Sequence, residues 1–297
     1  MITPEGNQIA VLANQIIRAR HRLDPRQQKV LAWAVAQIAR DDSDFLTHTL
    51  SISEFAKLTG SDSGSLFREM EAVTKSLLRA VIEIKENDGD RRRIAFQWLS
   101  RCVYRDGEGT VEIRFHDELK PYLLELRSRF TQLRLDQFFQ FRSSYTIRFF
   151  ERIEMERGMG RDGWTMTVEA MRDWLGIEAD AYKFFGLFRA KVIDVAQREL
   201  DTKGDWSFSF QLVKTGRKIT GVEFTIRRSR APKTDPNRER WKKASPDLRA
   251  KVFEAAKTKP RWQEKTDSEI ETDDGFWKYL PDLLAEVEQG QRALSLA

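Results

Sequence analysis

The chain has 297 residues, with 51 Lys and Arg against 46 Asp and Glu, a formal net charge of +5 and a pI near 9.2. A hydrophobic share of 40% against 33% charged residues permits buried cores under a heavily charged surface, and the modest basic excess allows a nucleic-acid partner without requiring one. The single cysteine, Cys102, excludes an intrachain disulfide and a cysteine zinc site; no apolar run nears the ~20 residues that span a bilayer, and MITPEGNQIA lacks a secretory signal pattern, so the cytoplasm is the expected compartment.

Asn7–Arg20 carries Ile9, Val11, Leu12, Ile16 and Ile17 at broadly helical spacing and runs into the basic stretch RARHR. LDPRQQKVLAWAVAQIAR then opens with a start signal: Asp24 can cap, Pro25 occupies a position where its missing N–H costs nothing, and Val30, Leu31, Ala34, Val35 and Ile38 form a stripe. LSISEFAKLTG (50–60) reads as a short helix capped by Ser53 and ended by Gly60. SLFREMEAVTKSLLRAV is a second helix, with Leu66, Phe67, Met70, Val73 and Leu77 on one face and Arg68, Ala72, Lys75, Ser76 and Arg79 on the other. RRRIAFQWLSRCVY, the turn DGEG (106–109) and TVEIRF complete a β-hairpin. Short helix, turn, longer helix and hairpin is the outline of a winged helix.

HDELKPYLLELRSRFTQL (116–133) reads as a helix interrupted near Pro121, and SSYTIRFFERIEMERG as a new helix capped by Ser143 or Ser144. The outline then repeats. WTMTVEAMRDWLGI (164–177) matches LSISEFAKLTG at a constant spacing of 116 positions, placing Thr167 on Ser51, Met171 on Phe55, Trp174 on Leu58 and Gly176 on Gly60. ADAYKFFGLFRAKVIDVAQREL (179–200) is the following helix, and DWSFSFQLVKTGRKITGVEFTIRR a second hairpin turning at KTGRK. Beyond Arg230, APKTDPNRERWKKASPD is rich in proline and charge and reads as a linker; the remainder reads as a mobile tail with one or two weak helices, one at Pro246–Ala256.

Chemistry-bearing motifs are sparse. His21, His48 and His116 lack metal-ligand spacing, no GxxxxGK[ST] loop occurs, GMGRDG (158–163) follows a helix rather than a strand, and GSDSG (60–64) reads as a turn. Pairs such as Glu154/Glu156 and Asp273/Asp274 read as solvated charge, so no catalytic residue, metal or cofactor is expected.

The basic surfaces are more informative. On a helical wheel centred on Tyr182, Phe184, Phe185, Phe188, Val192, Val195, Ala196 and Leu200 fill an apolar arc. Lys183, Gly186, Ala190, Lys191, Asp194, Gln197 and Arg198 lie opposite. Glycine inside a helix costs about 0.8–1.0 kcal/mol relative to alanine, so Gly186 either avoids a clash or, with Ala190, lets a partner approach the backbone while the cations reach phosphates or base edges. Arg189 sits at the edge of the arc and either snorkels along the core or faces outward. The hairpin tips add Arg91, Arg92 and Arg93 in one unit and Lys214, Arg217 and Lys218 in the other, placed to grip flanking phosphates.

The ordered set NQIIRARHRLDPRQQKVLAWAV, SSYTIRFFERI, TVEAMRDWLGI, YKFFGLFRAKVIDVAQREL and GRKITGVEFTI resembles the replication initiators of iteron-containing bacterial plasmids, over approximately residues 7–228. The resemblance implies an α+β chain of tandem winged-helix domains: 1–133 for dimerisation and backbone contacts, and 134–230 as the main DNA reader. Residues 231–297 lie outside it, as a linker and a mostly flexible, partly helical C-terminal tail. It also implies monomers that bind tandem origin repeats, dimers that bind an operator and repress the initiator's own gene, recruitment of the host replication initiator and helicase, and no ATPase activity. By position, Lys183, Arg189 and Lys191 match the family's base-reading helix, and Ser65, Arg68 and Lys75 match the helix of the first domain, whose contacts are chiefly to the DNA backbone; relatives are often more basic where this chain has Ala190. Dimerisation is expected to use the first unit's sheet, including a strand at Ile94–Tyr104. A cytoplasmic, nucleoid- or plasmid-associated protein with no membrane partner follows, and the rival reading is a transcriptional repressor without a replication role.

Overall fold

The computed structural model describes residues 9–38, 42, 44, 47–59, 66–85, 93–105, 107–124, 130–178, 180–229, 241, 243–272, 276, 279–280, 282–284 and 286–287. They fall into two compact units, 1–231 and 232–297.

The first unit opens with strand β1 (Ile9–Ala13) and a short helix α1 (Asn14–Arg18) where helical spacing alone suggested one helix. The reason is remote: β1 pairs antiparallel with β7 (Phe130–Arg134), from Ile9 opposite Arg134 to Ala13 opposite Phe130. The same pairing corrects the reading of 116–133 as an interrupted helix: among the described residues its helical part is a 3-10 turn at Asp117–Leu119 and α5 (Lys120–Leu123). The expected domain boundary at 133/134 falls inside β7.

Helix α2 (Pro25–Val35) starts as its sequence dictates. The Asp24 carboxylate accepts from the Arg26 and Gln27 amides at 2.8 and 3.0 Å, and the Gln27 side chain accepts from the Asp24 amide at 2.8 Å, a reciprocal capping box. Next come β2 (His48–Ser51), α3 (Ile52–Thr59), α4 (Leu66–Leu77), β5 (Leu99–Arg105) and β6 (Thr110–Phe115). The second set runs α7 (Ser144–Gly158), β8 (Gly163–Thr167), α8 (Val168–Trp174), the long helix described below, β9 (Trp206–Thr215) and β10 (Lys218–Arg228). Both three-stranded sheets have one order, short strand, second hairpin strand, first hairpin strand: β2-β6-β5 and β8-β10-β9. The 116-residue repeat is therefore a repeat of topology. Its caps match too, since Ser51 Oγ accepts from the Glu54 amide at 3.4 Å and Thr167 Oγ1 from the Ala170 amide at 3.0 Å; Ser51, not Ser53, holds the first of these helix starts.

The two-stranded sheets are not repeated. The expected strand Ile94–Tyr104 breaks at Trp98 into β4 (Arg93–Gln97) and β5, and β4 pairs only with β3 (Val81–Lys85) as a separate two-stranded sheet. Trp98 is buried at the break with its ring edge-on to His21, 5.2 Å between centroids, so burial of one large side chain takes precedence over strand continuity.

The second winged helix is built on aromatic packing. Phe149 of α7 is fully buried, stacked on Phe208 at 5.0 Å and edge-on to Trp174 at 5.4 Å, while Trp164 stacks on Phe224 at 4.7 Å. Helix α7 is capped by Ser143, whose hydroxyl accepts from the Thr146 amide, and the Glu199 carboxylate accepts from the Arg142 and Ser143 amides at 2.8 and 3.1 Å. Burial pushes the Glu199 carboxyl up, but hydrogen bonds from Lys203, Thr146 and those amides outweigh it and hold the group below its ordinary range.

The two halves of this unit are joined by buried polar contacts. Arg148, 2% exposed, donates to the carbonyls of Ile17 and Ala19 at 3.0 and 2.9 Å, pairs with Glu151 at 2.7 Å and lies over the Trp174 ring; the Trp174 indole also donates to Ile17 O at 2.7 Å. Burial pushes the Arg148 guanidinium down and the Glu151 carboxyl up, and their pairing opposes both. Arg20 reaches Asp173 and Glu178 at 3.3 and 3.2 Å. Gly176, at φ +62°, leaves no room for a side chain: a Cβ there would stand 2.9 Å from Arg22 Cβ and 3.1 Å from His21 O.

In the second unit, a helix at Pro246–Lys257 starts at Ser245, whose hydroxyl accepts from the Leu248 amide at 3.2 Å, and another spans Asp267–Thr272. The partly helical tail has a buried centre that its composition did not reveal: Trp241, Trp262 and Phe276 are at most 2% exposed, with Phe253 stacked on Phe276 at 5.9 Å.

Candidate nucleic-acid interface

The long helix of the second winged helix departs from the wheel drawn from its sequence. It starts at Phe185, with Phe184 as the extended N-cap residue, so Lys183 lies in the turn before the helix and not on it. That turn is held from below. Arg172 of α8 donates to the carbonyls of Glu178, at 3.3 Å, Ala181, at 2.7 Å, and Tyr182, and its guanidinium sits over the Phe188 ring at 5.0 Å. Tyr182 takes φ 52°, a left-handed conformation that a bulky residue adopts only when its surroundings enforce it.

From Phe185 the chain runs as α9 (Phe185–Phe188), one π turn over Arg189–Ile193 and α10 (Asp194–Lys203). A π turn adds a residue to the turn and rotates everything after it. Ile193, absent from the expected apolar arc, is therefore buried with Val192, Ala196 and Leu200, whereas Val195 is only half-buried. Gln197, expected on the open face, turns inward and donates to Phe208 O at 2.7 Å. Phe184, expected in the core, is 79% exposed, because it precedes the helix.

The outward face that results holds Gly186, Leu187, Arg189, Ala190, Lys191 and Arg198, with Lys183 and Phe184 just before it. A Cβ on Gly186 would meet nothing within 4 Å, which removes clash avoidance as the reason for that glycine. Arg189 points outward, 47% exposed in its side chain, but is engaged: Nε meets Asp194 at 3.2 Å and the guanidinium lies 5.2 Å from the Phe210 ring centre. Among the described residues, Lys183, Lys191 and Arg198 form no ion pair.

The second hairpin turns at Gly216–Arg217, with Thr215 opposite Lys218 and Gly216 at φ +61°, the first-position glycine that a two-residue hairpin turn favours. Lys214, Arg217 and Lys218 are all exposed there.

In the first winged helix, Arg68, Lys75 and Arg79 are exposed on or just after α4. Lys75 is bound to Glu71 one turn back and lies 5.5 Å from the Tyr104 ring centre; the hydrogen bond to Glu71 holds its ammonium above the usual range. Ser65, Arg91 and Arg92 lie outside the described residues. Arg93 belongs to β4 and pairs with Glu83 at 3.3 Å, away from the hairpin of β5 and β6. The basic run RARHR is likewise used internally: Arg20 pairs with acids of α8 and the loop after it, and His21 is buried, where desolvation and then the Arg148 charge depress its pKa well below the usual histidine value.

The residues missed by pattern reading are Phe184 and Leu187, exposed by 79% and 45%. Apolar character assigns Phe184 to the core, and the wheel places Leu187 on neither face; the start of the helix at Phe185 leaves Phe184 outside it.

Among the described residues no group of three or more His, Cys, Asp and Glu is placed to hold a metal ion, and no helix is long and apolar enough to cross a membrane.

Comparison with known proteins agrees with this architecture. The profile of a family described as "Initiator Replication protein, WH1" matches residues 9–154, and that of "Initiator Rep protein, WH2" matches residues 167–226. The fold is similar to that of the Pi initiator protein, solved in complex with iteron DNA, with a TM-score of 0.61 at 18% identity over 74% of this chain and 97% of that one. Two further structures align too loosely to support an argument. They are the MSBI1.176 WH1 domain, a replication protein isolated from a multiple sclerosis patient (TM-score 0.27, 20% identity, 39% of this chain, 83% of that one), and domains 2 and 3 of RctB (TM-score 0.42, 10% identity, 76% and 89%).

Proposed function

Since this chain belongs to the initiator replication protein family, with both winged-helix domains matched, we propose that it binds tandem origin repeats in double-stranded DNA through its second winged helix and starts plasmid replication without bond chemistry of its own. The observation that carries the reading is the outer face of the long helix. Two small residues, Gly186 and Ala190, lie between Lys183 and Lys191, whose charges have no acidic partner among the described residues. A helix of that form enters a major groove closely, its N-terminal residues reach base edges, and the cations of the Lys214–Lys218 hairpin meet flanking phosphates. That the Pi protein was solved on iteron DNA supports the same class of ligand.

The first winged helix serves a different role in this proposal. Arg68, Lys75 and Arg79 contact the DNA backbone, alongside Ser65, Arg91 and Arg92, and the sheets of that half supply the dimer contact of an operator-bound, self-repressing form. Two such modules on one DNA face span successive major grooves about 34–36 Å apart, a site of roughly 20 bp. Host initiator and helicase are the expected protein partners, in the bacterial cytoplasm.

Footprinting of the purified protein on plasmid origin DNA tests the reading: protection of tandem repeats is expected, besides an operator. Protection of an operator alone, with replication unchanged when the protein is absent, would establish the repressor reading instead. Strand scission of supercoiled DNA by the pure protein would replace both with an enzyme.

A further inference from the structure

The exposed apolar pair at the start of the long helix has no role in phosphate binding. Phe184 is 79% exposed and Leu187 45%, while the next residue, Phe188, is fully buried. Their exposure is built in. The Arg172 side chain ties the carbonyls of Glu178, Ala181 and Tyr182, and the left-handed Tyr182 sets the direction in which the chain enters the helix. Phe184 is then the N-cap residue, and Leu187 lies in the first turn. Both flank Gly186, where the backbone is bare, and both lie between Lys183 and Lys191. An apolar pair set between cations that have no acidic partner among the described residues fits a surface that is negative at its rims and apolar at points within. The major groove is such a surface, and the only apolar group it offers is the 5-methyl of thymine.

We propose that Phe184 and Leu187 are specificity-determining residues that cover thymine methyl groups, discriminating thymine from cytosine by burial of apolar area and leaving polar edge contacts to Lys183 and Lys191. The proposal rests on the reading of this helix as the one that enters the major groove. Position supports it: base-edge contacts of a recognition helix come from its N-terminal residues, and these two occupy that end. Phe184 is mostly solvent-facing in the free protein and Leu187 nearly half so, which makes Phe184→Ala the cleaner truncation, removing the contact without opening a cavity.

The test uses the full chain. Duplexes are selected from a random-sequence pool, and each thymine of the enriched site is replaced in turn by deoxyuridine, which keeps the pairing edge and removes only the methyl. For the unaltered protein, one or two positions are expected to lose about fourfold in affinity, the equivalent of one buried methyl group. In Phe184→Ala or Leu187→Ala, the same replacement is expected to make no difference at the matching position, with overall affinity down about tenfold for Phe184→Ala. Each ratio is taken within one variant, so a difference in folded fraction cancels. A site indifferent to uracil, or a uracil penalty undiminished in both variants, overturns the methyl contact while leaving DNA binding intact, and would assign the patch to a protein partner. A chain that enriches no sequence overturns the DNA-reading proposal and this one with it.

Discussion

The two winged helices share strand order, caps and a 116-residue offset, yet their long helices present charge differently. On α4, Glu69 and Glu71 lie among the cations: Lys75 is bound to Glu71, and Arg26 of α2 meets Glu69 at 3.6 Å. On the second helix Arg189 pairs with Asp194 at 3.2 Å, but Lys191 and Arg198, and Lys183 just before the helix, have no such partner among the described residues, and Gly186 and Ala190 keep the surface low. One scaffold thus supports a face with two engaged acids and a face on which, among the described residues, only Arg189 is neutralised. An ion already paired on its own helix gives up that partner to bind a phosphate, whereas an unpaired one does not, so the same fold is biased toward two roles by a few acids.

The joint between the halves gives the most severe way to break this comparison. Arg148→Ala leaves Glu151 buried without its partner and frees the carbonyls of Ile17 and Ala19; a loss of about 3–5 kcal/mol in denaturant unfolding is expected, with a smaller loss in the Arg148→Met, Glu151→Leu double variant. Equal losses would mean that the cost lies in the lost bonds to the Ile17 and Ala19 carbonyls and not in a stranded Glu151. The contrast between the helices is tested directly by Lys183→Ala and Lys191→Ala. Each is expected to weaken cognate binding by about 1–3 kcal/mol and random DNA far less, while Arg68→Ala, Lys75→Ala and Lys218→Ala weaken both alike and flatten the salt dependence. Uniform losses from every variant would erase the distinction between reader and backbone binder.

Gly186→Ala separates folding from docking. A Cβ there meets nothing in the free protein, so thermal stability is expected to rise by about 0.5–1 kcal/mol while DNA affinity falls; unchanged affinity would show that the face does not come close to DNA. The smallest effect concerns pH. Because burial, then the Arg148 charge, depresses the His21 pKa in the folded protein, the unfolded chain takes up the proton first. Stability should hold above about pH 6.5 and decline as pH falls from there toward the folded value. A His21→Gln variant, followed by unfolding midpoints from pH 7.5 to 5, should lose that part of the slope.

Much of the architecture was legible locally. Asp24, with Pro25 after it, and Ser143 start their helices as expected, because a cap is a bond between neighbours two or three positions apart; Ser51 takes the place expected of Ser53. The second hairpin turns at its glycine for the same reason. The internal repeat was visible because each unit needs the same order of elements to close a core, and the two family profiles fall on those units. The candidate surface was legible in part: Gly186, Ala190, Lys191 and Arg198 face outward as their wheel positions predict.

What the tertiary structure decided depends on contacts between distant segments. Strand β1 exists because β7 lies beside it more than a hundred residues later, and RARHR serves the joint because carboxylates and carbonyls of other elements meet it there. The wheel failed at the long helix for a physical reason: the regular 100° step holds only while the hydrogen-bond pattern stays i to i−4, and the π turn at Arg189–Ile193 resets the phase to seat Ile193 in the core. Composition and periodicity determined two winged helices, the second with a basic helix face. Packing determined that Lys183 stands before that helix, that Gln197 faces in, and that Phe184 and Leu187 face out.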